Sequence, residues 1–237
     1  MSRIARAVVE GMPHHITQRG NGRAIVFDTE ADRTVYVNLL RRNSIQYRLT
    51  LWALCLMTNH IHLLAVPERR DSLHRALGRT HAEYAHYLNA KRASCGHLWQ
   101  ARFFSCVVAP EHLWMTVAYI ETNPVRAGLS VEADQYRWSS AKSHTTGIDA
   151  DHLIDMRRWR MEYTPSRWQE VLRSTVDCEA DAQRIREATM RGGPLGGAQF
   201  IRDVELLLAR TLTPKPVGRP QKQTLHLEGE QIALAQL

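Results

Sequence analysis

Hydrophobic positions in the first 147 residues switch repeatedly between a period of two and a period of three to four. His14-His15-Ile16-Thr17 reads as a short strand, and Arg19-Gly20-Asn21-Gly22 behind it is a turn signal. From about Asp28, a good N-cap, to Gln46, the residues Val35, Tyr36, Leu39 and Leu40 recur at helical spacing. Leu49 to Met57 and His60 to Val66 are apolar runs of strand length, and the two-residue turn Thr58-Asn59 between them predicts a hairpin. A second helix is predicted from about Asp71 to Lys91, with Leu73, Leu77, Thr80, Tyr84 and Leu88 on one side. Arg102 to Val108 is a fourth strand, and Pro110 opens a third helix, since proline is tolerated in a first turn.

The order β-α-β-β-α-β-α predicts an α+β fold: a ferredoxin-like (RRM-like) antiparallel sheet with helices on one face, occupying residues 1–147. That fold hosts many functions, so the site has to decide this one. Residues 148–210 change character and read as a small all-helical region, with helices at Pro165–Ser174, about Cys178–Met190 and Ala198–Arg210. Gly192-Gly193-Pro194-Leu195-Gly196-Gly197 breaks the last two. Residues 211–237 are expected to form an extended, basic, flexible tail.

Composition narrows the classes. A hydrophobic content of 44% is enough for a buried core. No apolar run reaches the ~18 residues of a membrane span, and the first residues lack the apolar centre of a secretory leader, so the expected location is the cytoplasm, at the nucleoid. Cys55, Cys95, Cys106 and Cys178 are widely spaced without a CxxC pair, which argues against a zinc ribbon or a disulfide framework. No P-loop or GxGxxG pattern occurs, so no nucleotide cofactor is expected. Lysine and arginine number 31 against 24 acidic residues, a net charge of +7. Arginine's planar fork suits phosphate, which makes nucleic acid a natural partner, although the same charge could serve only solubility.

Two groups of residues carry candidate chemistry. His60 and His62 alternate with Ile61 on a strand, so both imidazoles point to one face and could share a metal ion. A chance His-x-His on a strand is the competing reading. On the third helix, a projection at about 100° per residue sets His112, Thr116, Tyr119, Asn123 and Arg126 in a polar stripe beside the core stripe Leu113, Val117 and Ile120. Tyr119 and Asn123 stand one turn apart, offering a phenol and an amide together. Equally, Tyr119 could be a half-buried helix tyrosine, and Asn123 a cap before Pro124.

Three ordered segments resemble a known family: Cys55-Leu-Met-Thr-Asn-His-Ile-His-Leu-Leu64, Gly96-His-Leu-Trp-Gln-Ala-Arg-Phe103 and Tyr119-Ile-Glu-Thr-Asn-Pro-Val-Arg-Ala-Gly-Leu129, with Trp138-Ser-Ser behind them. Together they look like the single-tyrosine HUH transposases, specifically the bacterial REP-associated tyrosine transposases. The resemblance covers about residues 1–147 closely. It implies that His60, His62 and Asn123 hold a divalent metal, Mg²⁺ or Mn²⁺, and that Tyr119 is the nucleophile. It further implies cleavage and transfer of hairpin-bearing single-stranded DNA through a 5′-phosphotyrosine link, with a homodimer serving where two cuts are coordinated. Thr58 stands where relatives often have proline, and Gly193 where they often have arginine.

Candidate phosphate contacts are Arg19, Arg23, Arg102 and Arg126. Arg219, in Gly218-Arg219-Pro220 between Lys215 and Lys222, resembles a minor-groove-reading tail. Trp99 and Phe103 could stack on bases, but core packing is the favoured reading, and His97 is placed in a loop. The helices after Pro165 could bind hairpin DNA or only pack on the catalytic domain. The rival functions are a cleavage-deficient hairpin-binding protein and a hydrolase that uses the His pair and water.

Overall fold

The computed structural model describes residues 6–176 and 178–212. Four strands form the sheet: β1 (His14–Arg19), β2 (Leu49–Leu56), β3 (His60–Pro67) and β4 (Phe104–Val107). Their order is β2-β3-β1-β4, and every neighbouring pair is antiparallel. This is the split βαβ arrangement: β1 and β2 are joined through α1 (Glu30–Gln46), β3 and β4 through α2 (Ser72–Lys91), and β3 inserts between β2 and β1. The hairpin closes as expected, with Met57 N donating to His60 O at 2.9 Å across Thr58-Asn59.

Helix α1 begins one residue later than the expected cap. Thr29, not Asp28, is the N-cap: its hydroxyl accepts from Asp32 N, and the Asp32 carboxylate accepts from Thr29 N at 2.8 Å, a capping box. Asp28 is drawn off by Arg92 instead. The buried Asp32 carboxylate also takes Lys91 Nζ at 2.7 Å, which ties the start of α1 to the end of α2.

The helical cover is more extensive than the one-faced layer expected. Residues 61–65 of β3 are all buried, and successive side chains of a strand point to opposite faces, so both faces are covered. While α1 and α2 pack on each other, α3 (Leu113–Arg126) lies against β2 and β3, and α7 (Glu179–Arg191) against β4 and β1. Between them come α4 (Ala141–Thr146), α5 (Arg157–Glu162) and α6 (Pro165–Thr175), with α8 (Ala198–Leu208) after α7. The helices after Gly147 share the sheet's core: Trp159, Trp168, Leu172, Ala182 and Ile185 are buried in the same cluster as Ile16, Leu64 and Val117. The glycine-rich link docks as well. Leu195 N donates to Val107 O at 2.8 Å and Ala109 N to Leu195 O at 2.9 Å, which pairs the free edge of β4.

A buried polar knot joins α3, α4 and α6. The carboxylate of Glu121, fully buried, accepts from Ser140 Oγ, from His144 Nδ1 at 2.6 Å and from Trp168 Nε1 at 2.9 Å. Trp168→Ala removes the largest fully buried side chain and one partner of that carboxylate, and should cost about 3–5 kcal/mol, read as a drop in thermal midpoint. A wild-type midpoint in that variant would mean α6 is not integral to the core. Among the described residues, no helix is long and apolar enough to cross a membrane.

Candidate active site

The two imidazoles of β3 stand together on the sheet face that α3 and α7 cover. Ring centroids of His60 and His62 are 5.0 Å apart, with planes nearly perpendicular. His60 Nδ1 lies 2.7 Å from Asn59 Oδ1, while Asn59 Nδ2 donates to Arg23 O at 3.0 Å. His62 Nδ1 lies 3.0 Å from Nε2 of His15, on β1. Each ring is thus held through Nδ1, which leaves Nε2 as the nitrogen for another partner. Burial lowers His60 to about 4, helped by Arg19 alongside it. His62 is pushed well below 6.5 by burial first, then by His60, His15, Arg126 and Arg19. Both rings are therefore neutral at neutral pH, the form in which imidazole binds a metal.

Helix α3 delivers the phenol to this pair within one chain. The Tyr119 ring meets His62 edge-on at 5.6 Å and His15 at 5.8 Å. It is only 4% exposed, and the Arg126 guanidinium sits 4.5 Å above its centroid. Burial raises the phenol's pKa, while Arg126 and Arg186, the latter from α7, pull it back. The Arg186 side chain is also paired with Glu179 at the start of α7. Removing a cation should raise the phenol's pKa further. Arg186→Ala is therefore expected to move the rising limb of any phenolate-dependent rate to higher pH, by about one unit. An unmoved pH profile would exclude Arg186 from acting on the phenol.

Asn123 does more than cap a helix. The helix runs through Pro124, which has no N–H to give Ile120 O. Asn123 Nδ2 turns back to Tyr119 O at 2.9 Å and to Ile120 O at 3.4 Å, and Arg126 Nη2 also reaches Tyr119 O at 2.6 Å. The side-chain amide and guanidinium thus satisfy the carbonyls around the break and carry α3 to Arg126. Among the described residues, no group of three His, Cys, Asp or Glu side chains could hold a metal ion. The two neutral imidazoles are donors whose chemistry fits a divalent ion of the Mn²⁺ or Zn²⁺ kind, while the side-chain amide of Asn123 is engaged by its own helix.

The remaining expected residues divide. Arg19, Arg23 and Arg102 are exposed, and Arg19 pairs directly with His60 in the β1–β3 register. Arg126 is turned inward: besides Tyr119 O, it donates to Thr122 Oγ1 at 2.6 Å, so its first role is to shape the surroundings of the Tyr119 phenol. Arg219, Lys215 and Lys222 lie outside the described residues. Phe103 is buried, with the Arg6 guanidinium 3.7 Å over its ring, and Trp99 is half-buried and donates to His81 O. Both aromatic residues serve packing, and His97 is exposed in the loop between α2 and β4. At Gly193 the space a Cβ would take is open. Sequence reasoning missed His15, Asn59, Arg186 and Thr189. Only His15 had a local signal, a strand position of the right parity, and its facing of His62 depends on strand pairing.

Residues 8–123 match the family model described as Transposase IS200 like. Among solved structures, a REP-associated tyrosine transposase bound to a REP hairpin is similar over 63% of this chain and 88% of its own, at 18% identity and a TM-score of 0.54, which is a likeness of fold. A protein of Deinococcus radiodurans R1 named as a transposase aligns over 51% of this chain and 96% of its own, at 21% identity and a TM-score of 0.36. No curated protein matches the chain in sequence.

Proposed function

Since this chain belongs, through residues 8–123, to the IS200-like transposase family, we propose that it cuts and rejoins hairpin-bearing single-stranded DNA with Tyr119 as nucleophile. The observation that carries the reading is the packing of the Tyr119 ring against His62 at 5.6 Å, with His60 5.0 Å beyond. A nucleophile and a pair of neutral imidazoles converge there in one chain. The hairpin substrate is supported by the DNA bound to the solved REP-associated relative.

The phenolate oxygen of Tyr119 attacks the phosphorus of a phosphodiester, and the bond from phosphorus to the 3′ oxygen breaks. The phenol's proton goes to solvent, and the departing 3′ oxygen takes one up to become a hydroxyl. The product is a 5′-phosphotyrosine. One phosphate ester replaces another, so the step is reversible without a nucleotide cofactor, and the 3′-hydroxyl of another end can accept the strand. Arg126 and Arg186 lower the cost of the phenolate in its buried setting. Arg19, exposed opposite His60 in the strand register, and Arg23, exposed in the turn whose carbonyl holds Asn59, suit phosphates on either side of the cut. A divalent ion, Mg²⁺ or Mn²⁺, held by His60, His62 and Asn123 would draw charge from the non-bridging oxygens and fix the phosphorus in line with the phenol.

The test is to incubate labelled hairpin single strands with the protein and Mg²⁺ or Mn²⁺ and look for a denaturation-resistant protein–DNA adduct. The adduct is expected in wild type, and expected to vanish with EDTA or in the His60→Ala/His62→Ala variant. An adduct indifferent to both would remove the His pair from the reaction. The phenol's near-complete burial favours a second reading, a hairpin-binding protein that does not cleave, and a mobility shift with no cut strand would select it.

A further inference from the structure

Behind the His pair runs a hydrogen-bond chain with a definite direction. Thr189, on α7, spends its single hydroxyl proton on Ile185 O at 2.7 Å. With the proton there, its oxygen accepts from His15 Nδ1, 2.6 Å away. His15 then carries its proton on Nδ1 and presents Nε2 as an acceptor. That acceptor lies 3.0 Å from His62 Nδ1, which must be the donor. The proton order leaves the lone pair of His62 on Nε2. His60 reaches the same tautomer separately: Asn59, oriented by its bond to Arg23 O, accepts from His60 Nδ1.

We infer that His15 and Thr189 are positioning residues of the metal centre, holding His62 as its Nδ1–H tautomer with Nε2 ready to bind the ion. The inference rests on the reading of His60 and His62 as metal ligands. Its physical content is the general one for histidine ligands, whose second nitrogen needs a partner to fix ring and tautomer. Two features of the arrangement matter here. The partner is another imidazole, which can donate or accept, so its own direction has to be set from behind by Thr189. That threonine also lies outside residues 8–123, so the helix beyond the family match completes the site. Cys106 Sγ, 3.3 Å from Thr189 Oγ1, closes the far end of the chain.

The test uses the full chain without metal. Nitrogen-15 NMR of the histidine rings should show His62 protonated on Nδ1, and a His62 Nε2–H signal would overturn the inference. Mn²⁺ affinity, titrated by the loss of the free-ion EPR signal, should fall roughly 10–100-fold in His15→Phe. It should fall in Thr189→Val, which keeps the volume but no longer sets the direction of the chain. His15→Gln, whose amide oxygen can still accept from His62, should recover part of the loss. Binding of hairpin DNA in EDTA should stay at the wild-type level in all three. Unchanged Mn²⁺ affinity in both His15→Phe and Thr189→Val would refute the positioning role. Should His15→Phe fail to fold, Thr189→Val and the tautomer measurement decide. A His62→Ala control separates the two levels: if it leaves Mn²⁺ affinity intact, the ligand reading itself fails.

Discussion

Tyr119→Phe is expected to abolish the covalent adduct with hairpin DNA and to reduce strand cleavage by about a thousandfold or more, because it removes the atom proposed to attack. The substitution is a clean one here. A phenylalanine ring retains the edge contacts to His62 and His15 and the guanidinium of Arg126 above its face. The hydrogen bonds from Asn123 and Arg126 go to the Tyr119 backbone carbonyl, which the change leaves in place. Loss of one hydroxyl should cost no more than about 1 kcal/mol of stability. Binding of uncut hairpin in EDTA should match wild type. If adduct and cleavage persist in this variant, another nucleophile is at work. If cleavage persists with no adduct in either protein, water is the attacking group and the His pair serves a hydrolase.

The second large effect concerns acid. Burial lowers His14 to about 4 and both His15 and His81 to about 3, far under the 6.5 of a free imidazole. Each stays neutral in the native state while the unfolded chain takes up its proton as the pH drops through 6.5. Between that point and the native values the unfolded state binds more protons, so stability falls as pH falls. Each fully buried ring contributes a slope of about 1.4 kcal/mol per pH unit, or about 2 kcal/mol by pH 5. Three such rings together approach the 5–15 kcal/mol or so that holds a typical domain folded. Urea melts should therefore show a strong loss of stability from pH 7.5 to 5.5, with acid unfolding near pH 5. A flat profile across that range would mean that these rings are protonated in the native protein. The same burial keeps His60 neutral down to about 4.

Much of the site was legible because its local geometry is short-range. Strand alternation alone sets His60 and His62 on one face, and the two-residue turn before them is confirmed by the bond from Met57 to His60. Helical pitch alone makes Tyr119 and Asn123 neighbours. The role of Pro124 was not legible. The stripe that reaches Arg126 already carries the helix past Pro124, but only the folded chain shows how: the side chains of Asn123 and Arg126 take over the carbonyls around the missing donor. The helices α4 and α5, six residues each, are too short to carry a period. The second helical layer escaped detection because an amphipathic stripe says that a helix is covered, and not by what.

Periodicity, turn chemistry and motif order were enough to determine the order of elements, the pairing of two imidazoles on one strand face and the phenol–amide pair on one helix. Tertiary structure decided that these two faces meet, that His15 and Thr189 stand behind His62, and that Arg186 faces the phenol from α7. The reason is one of range. A residue's direction relative to its own element follows from backbone repeats of two or 3.6, whereas its partner across elements follows from strand register and packing, which no local repeat encodes.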